Sequence, residues 1–354
     1  MSDPPSADAE PLEPEPSASW SGLLVRLGLS LVLAVAFAAV LWPRLRTIPE
    51  DLSIAWWAVP TYLLALVPYH LARAGRWHVL LRPLGAVRLA DSMRVSLAGY
   101  MWIALLPFRL GEFARPLMLA ERTEIGIKPA LGTVAIERVL DGLIICTLFF
   151  VASAGNPSTE LPALLTATTG VMALFGVALT GLLVMARWPR AMTRIIDATL
   201  GRVWARAGQW TSGLSEGVAQ GLTALPRGGP AATFIAITSI YWASNAVGMW
   251  VLAQGCGLPI GVGDAVLVMA VMNIALLVPG GPAQVGIFQT GVALGLHLVL
   301  PADTIRDDGS AFAFYLYLCQ LGSITVAGGW AQRSLGLPWR TVLGRFAPPP
   351  KTSS

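Results

Sequence analysis

Three charged residues sit close together in strongly apolar sequence: Arg109, Glu112 and Arg115, within Pro107-Phe-Arg109-Leu-Gly111-Glu112-Phe113-Ala-Arg115. A second charged set follows, Glu137-Arg138-Val-Leu-Asp141. A guanidinium can hold a phosphate through two parallel N–H bonds, so arginines in an apolar setting are candidates for anion binding. Carboxylates at helical spacing can neutralise them: Glu112 and Arg115 are i, i+3, Arg138 and Asp141 are i, i+3, and Glu137 and Asp141 are i, i+4. Three readings follow. The six charges pair off and lock two helices together, or pairing is incomplete and an arginine is left to meet a ligand, or Glu137–Asp141 sits at the membrane interface and only fixes topology. A charge at mid-bilayer costs about 2.5–3.5 kcal/mol, so six of them require pairing or water.

The first motif has a copy 175 residues later, Pro282-Ala-Gln284-Val-Gly286-Ile-Phe288-Gln289. Both share Pro-x-x-(Leu/Val)-Gly-x-Phe, and each follows an Ile-Ala-Leu-Leu run, at 103–106 and 274–277. The copy is preceded by Pro279-Gly280-Gly281 and carries amides where the first carries charges. Gly280 and Gly281 allow a ligand close to the backbone. A helix starting near Gln284 would turn its positive end toward an anion. A plain hinge would use the same residues. Gln284, Gln289 and Asn273 are polar groups that could line one cavity.

The elements that position these groups belong to a membrane protein. Of 354 residues, 55% are hydrophobic and 12% charged, with a mean hydropathy of +0.64; soluble domains carry about 25% charge. Apolar runs at 22–42, 54–72, 129–153, 163–186, 230–254 and 310–332 are long enough to cross about 30 Å of hydrocarbon. The expected fold is therefore all-α and polytopic. Residues 1–19 read as an acidic disordered tail, 20–335 as one transmembrane domain and 336–354 as a cytoplasmic tail.

Two further regions, 95–120 and 264–300, differ: each opens with a short apolar stretch, 95–107 or 264–279, that ends in Pro or Pro-Gly-Gly and is followed by a second short amphipathic piece, 110–120 or 284–300. That pattern points to discontinuous helices at a binding site, here two re-entrant hairpins in inverted repeats beside about six full spans. Loop charge supports it. If both stretches turn back, 17 basic residues fall on one face and only Arg44, Arg46 and Arg306 on the other. The positive-inside rule makes the richer face, with both termini, cytoplasmic. Ten short spans would preserve the same parity. Between 189 and 227 apolar residues recur at steps of three and four, predicting amphipathic cytoplasmic helices.

Other chemistries find little support. Cys146, Cys256 and Cys319 lack ligand spacing, His70, His78 and His297 are scattered, and no basic run suits nucleic acid. The expectation is no metal, no cofactor and no enzymatic activity.

Taken in order, Pro107-x-Arg109-x-Gly111-Glu112-x-x-Arg115, Glu137-Arg138-x-x-Asp141 and Pro279-Gly280-Gly281-x-x-x-x-Gly286 resemble the transmembrane domain of lysylphosphatidylglycerol synthetase/flippase proteins and their stand-alone relatives. The resemblance covers roughly 20–335. It implies lipid translocation in a bacterial inner membrane, with Arg109, Glu112, Arg115 and the 279–289 turn as site positions. It also implies a stand-alone member without the soluble transferase, working beside a separate lipid-modifying enzyme. Gln289 stands where the family often has an acid. The resemblance therefore points to a phosphate-centred substrate, a phospholipid or a lipid-linked phosphate, rather than a cationic headgroup. A transporter of a small anion and a non-transporting membrane subunit are the alternatives.

Overall fold

The computed structural model describes residues 53–154, 162–188, 228–278 and 281–339. All belong to one unit, Ile48–Ser354. The expected acidic tail 1–19, first span 22–42, amphipathic stretch 189–227 and position Gly280 lie outside the described residues, as does the tail beyond 339. What is described is all-helical. The helices are α1 (Ala58–Leu81), α2 (Leu89–Leu105), α3 (Ala114–Ala120), α4 (Ile127–Ala154), α5 (Pro162–Arg187), α6 (Gly229–Gly255), α7 (Val262–Ala275), α8 (Ile287–His297) and α9 (Ser310–Ser334). Tight 3₁₀ turns at Pro107–Phe113 and Pro282–Gln284 join α2 to α3 and α7 to α8.

The apolar runs at 54–72, 129–153, 163–186, 230–254 and 310–332 fall on α1, α4, α5, α6 and α9. Among the described residues, three segments are long and apolar enough to cross a membrane: Leu164–Leu182, Gly229–Gly255 and Ser310–Ser334. Helices α1 and α4 are 24 and 28 residues long, but each carries charges in mid-helix. The apolar run at 54–72 stops short of the real end of α1, at Leu81. Arg73 and Arg76 are thus helical residues and not part of a loop. The helix continues because acids on α4 meet Arg76, which a count of apolar residues along one segment does not register.

Packing rests on small residues, as expected where lipid offers no hydrophobic drive between helices. On α6, Gly248 lies against Tyr62 and Gly255 against Ala58 of α1. The Ala55 N–H donates to Gly255 O at 2.9 Å, and Tyr69 stacks on Tyr241 at 4.9 Å, so α1 and α6 run antiparallel. The two motif regions each fold back as a helical hairpin. In the first, Gly99 of α2 packs on Arg115 of α3, and Gly111 packs on the backbone of Trp102 and Ile103. In the second, Gly291 and Gly295 of α8 form a G-x-x-x-G face on α7. A Cβ at either glycine would lie 2.9 Å from Met272 Cα or 2.8 Å from Val268 Cα.

The two turns share a backbone signature. Arg109 and Gln284 occupy the same place in the repeated motif, two residues after its proline, and both are left-handed, with φ of 56° and 54°. Ala283 is also left-handed, with φ of 56°. Each such residue costs roughly 1–2 kcal/mol relative to a right-handed one. Hairpin packing on both sides must hold them there.

Candidate functional site: an arginine-lined cavity

Helix α1 carries a polar stripe, Tyr69, His70, Arg73 and Arg76, at steps of three and four. It faces α2 and the middle of α4. Arg76 is enclosed and bonds Asp141 through Nη1 and Nη2, both at 2.6 Å, and Glu137 through Nε at 2.9 Å. Arg115 of α3 reaches the other Glu137 oxygen at 2.8 Å. The Tyr100 hydroxyl accepts from Arg115 Nη1 at 3.0 Å and lies 3.0 Å from Glu137 Oε1. Glu137 thus binds α1, α3 and α4 together, and Arg115 and Glu137 are fully buried. Losing one partner of such a pair leaves an uncompensated buried charge.

A second set of arginines faces a cavity of about 170 Å³. Arg73 lies over the Tyr100 ring at 3.8 Å and makes no ion pair among the described residues. Arg109 donates through Nη2 to Glu112 Oε1 at 3.2 Å and through Nη1 to Leu276 O, beside the second hairpin, at 2.8 Å. Arg138 sits 3.2 Å from Glu112 Oε2, in ion-pair range but not aligned for a hydrogen bond. Among the described residues, buried donors remain without a hydrogen-bond partner on all three (Arg73 Nε, Arg109 Nε, and Arg138 Nε and Nη2), as they do on Arg115 Nε and Nη2 in the clamp.

The charge count agrees with this. Among the described residues, the connected group holds five guanidiniums (Arg73, Arg76, Arg109, Arg115, Arg138) and three carboxylates (Glu112, Glu137, Asp141), an excess of two positive charges. Arginine does not deprotonate in proteins. A buried excess of this kind calls for an anion.

Both hairpins line the cavity. Arg109 and Ala104 come from the first, and Asn273, Leu276, Ala283 and Gln284 from the second. Tyr317 of α9 braces the second turn by donating to Ala283 O at 2.9 Å. Of the residues singled out from sequence, Arg109, Arg138, Asp141, Gln284 and Asn273 face the cavity. Glu112 lies behind Arg109 and Arg138, while Arg115 and Glu137 belong to the buried clamp. Gly281 leads into the second turn. Gln289 does not line the cavity. Its Oε1 accepts the Gly286 N–H at 2.7 Å, so the start of α8 is capped by its own side chain. That helix begins at Ile287, not at Gln284.

Arg73, Tyr69, His70, Trp242 and Asn245 also line the cavity, and motif spacing did not single them out as a site. Extending the 3.6-residue period past Leu71 would have shown the stripe on α1. Among the described residues no group of three or more His, Cys, Asp or Glu converges as metal ligands would.

Two apolar grooves adjoin the cavity. One, about 610 Å³, lies between α4, α6 and α7 and meets the cavity at Trp242. The other, about 650 Å³, lies between α1, α2 and α9 and meets it at His70. Their walls include exposed side chains such as Ile235 in the first and Val67, Leu318 and Val326 in the second.

No curated protein and no solved structure matches the chain. A family model does, that of the lysylphosphatidylglycerol synthase TM region, over residues 20–345. With nearly the whole sequence matched and an all-helical membrane architecture around the paired motifs, the chain belongs to the lysylphosphatidylglycerol synthase transmembrane family.

Proposed function

We propose that this protein translocates an anionic lipid, holding the headgroup phosphate in the cavity between the two hairpins. The observation that carries the reading is the uncompensated positive charge on the cavity wall, with unpartnered donors on Arg73, Arg109 and Arg138. A phosphate would take these donors and balance the excess.

Glu112 is the natural competitor. It pairs with Arg109 and Arg138 and would yield them to an incoming phosphate. Arg109 also ties the hairpins together through Leu276 O. Engaging the phosphate would weaken that tie and let the hairpins part, coupling the substrate to the opening of the path. The shared left-handed position, Arg109 in one turn and Gln284 in the other, supports reading the hairpins as inverted repeats. The chain would then sit in a bacterial inner membrane with its basic loops and both termini cytoplasmic. It would act without covalent chemistry, on lipid supplied by a separate lipid-modifying enzyme.

The grooves favour a lipid over a small soluble anion. A cavity of about 170 Å³ holds a headgroup and not a whole lipid, and apolar grooves lead from it to the exposed apolar surface. The test is reconstitution into liposomes with a labelled anionic phospholipid. Arg73→Ala and Arg109→Ala should each slow its movement across the bilayer by about tenfold or more. Unchanged rates in both variants would remove the headgroup site.

A further inference from the structure

Helix α6 carries three buried polar groups without partners among the described residues: Thr238 Oγ1, Trp242 Nε1 and Asn245 Oδ1. The residues are 5%, 6% and 1% exposed. Their spacing, i, i+4 and i+7, sets them on one face of the helix. They form a sequence in space. Asn245 lines the arginine cavity, Trp242 lines both the cavity and the groove between α4, α6 and α7, and Thr238 lines that groove alone. Beyond them the groove is walled by Leu140, Ile144, Leu148, Phe234 and Ile235.

An indole N–H can only donate. With no acceptor among the described residues, a bound ligand is a candidate to supply one. The acceptor has to lie between a phosphate site and a hydrocarbon groove. The other groove does not make this demand: its polar wall residue, His70, is already bonded through Nε2 to Ser323 Oγ at 2.9 Å. Its remaining nitrogen, Nδ1, can serve as a lone pair.

We propose that this face of α6 reads the ester linkage of a glycerophospholipid. The inference rests on the headgroup reading above. With the phosphate at Arg73, Arg109 and Arg138, the glycerol ester carbonyl accepts from Trp242 Nε1 and Thr238 Oγ1, and the acyl chain lies in the groove. The order of groups on the protein then follows the order along such a lipid: anion, carbonyl, hydrocarbon. A polyprenyl phosphate joins its phosphate directly to hydrocarbon and offers no carbonyl. It would leave both donors buried and unpaired.

The experiment is a competition on the full chain purified in detergent. Equal amounts of diester phosphatidic acid, diether phosphatidic acid of matched chains and a polyprenyl phosphate are offered in mixed micelles, and bound lipid is extracted and weighed by mass spectrometry. The diester should be retained about fivefold over the diether, the worth of one or two hydrogen bonds, with the polyprenyl phosphate below both. Trp242→Phe combined with Thr238→Val keeps an aromatic ring at 242 and the volume at 238 while removing both donors, and should bring diester and diether to parity. Equal retention of diester and diether by the unaltered chain overturns the proposal, whatever the variants do. So does a preference that survives the double substitution. Arg73→Ala should lower retention of all three lipids together. If it changes none of them, the headgroup site itself falls, and the ester reading with it.

Discussion

Arg76 and Arg115 differ from Arg73, Arg109 and Arg138 in what surrounds them, although all five lie in one connected group. The first two are enclosed and directed at Glu137 and Asp141. The other three border a cavity; Arg109 and Arg138 share Glu112 and Arg73 has no acid among the described residues, while unpartnered donors occur in both sets, on Arg115 as well as on these three. The contrast divides the charged cluster: pairing is close to complete in one part of it and incomplete in the other. Neutralised charge joins α1, α3 and α4, and the residual charge faces the space between the hairpins. A buried charge becomes a rigid joint where acids enclose it, and stays available where one acid is shared among several arginines.

That division can be broken by substitution. The largest effect should come from Glu137→Ala, which strips Arg115 of the nearer of its two acids and Arg76 of one of two. Thermal unfolding in detergent should show a loss of about 3–5 kcal/mol, because two buried guanidiniums lose compensation. A loss below about 1 kcal/mol would mean that the clamp is not what holds these helices.

Arg73→Ala should show the opposite profile. Affinity for an anionic headgroup should fall about 10- to 100-fold, the worth of a charge-assisted bond. Stability should stay level or rise, since an unpaired buried cation is removed. Equal losses of stability for Arg73→Ala and Glu137→Ala would erase the distinction between clamp and cavity.

The two hairpins offer a finer comparison. Gln289→Ala should cost about 1 kcal/mol in stability through the lost cap on Gly286, without changing headgroup affinity. A sharp drop in affinity would instead return Gln289 to the site. Smallest of all, Gln284→Gly should relieve a left-handed residue and raise stability by up to about 1 kcal/mol. Arg109→Gly relieves the same conformation but should not stabilise, because the bonds to Glu112 and Leu276 O are lost with the side chain.

Much of this was legible in residue order. The apolar runs match α1, α4, α5, α6 and α9, and the Pro-x-x-(Leu/Val)-Gly-x-Phe repeat marks two hairpins whose tips share a backbone conformation. Arg109, Arg138, Asp141 and Gln284 were found as cavity residues because their motifs stand out against apolar sequence. Arg73 was not. It lies where an apolar run seems to end, and a basic residue at such a place is indistinguishable from a loop anchor. Gln289 was misassigned to the cavity for the converse reason: spacing cannot tell an amide that caps its own helix from one that faces a ligand.

The sequence by itself therefore determined the membrane class, the family, the helical segments and the paired motifs, since each depends on local composition or short-range order. Tertiary structure alone decided which arginines are spent and which are free. Arg76 meets its acids 61 and 65 residues away on α4, and Arg109 bonds a carbonyl 167 residues away. Whether a guanidinium is neutralised turns on distances of about 3 Å, and these are set by how helices lie side by side.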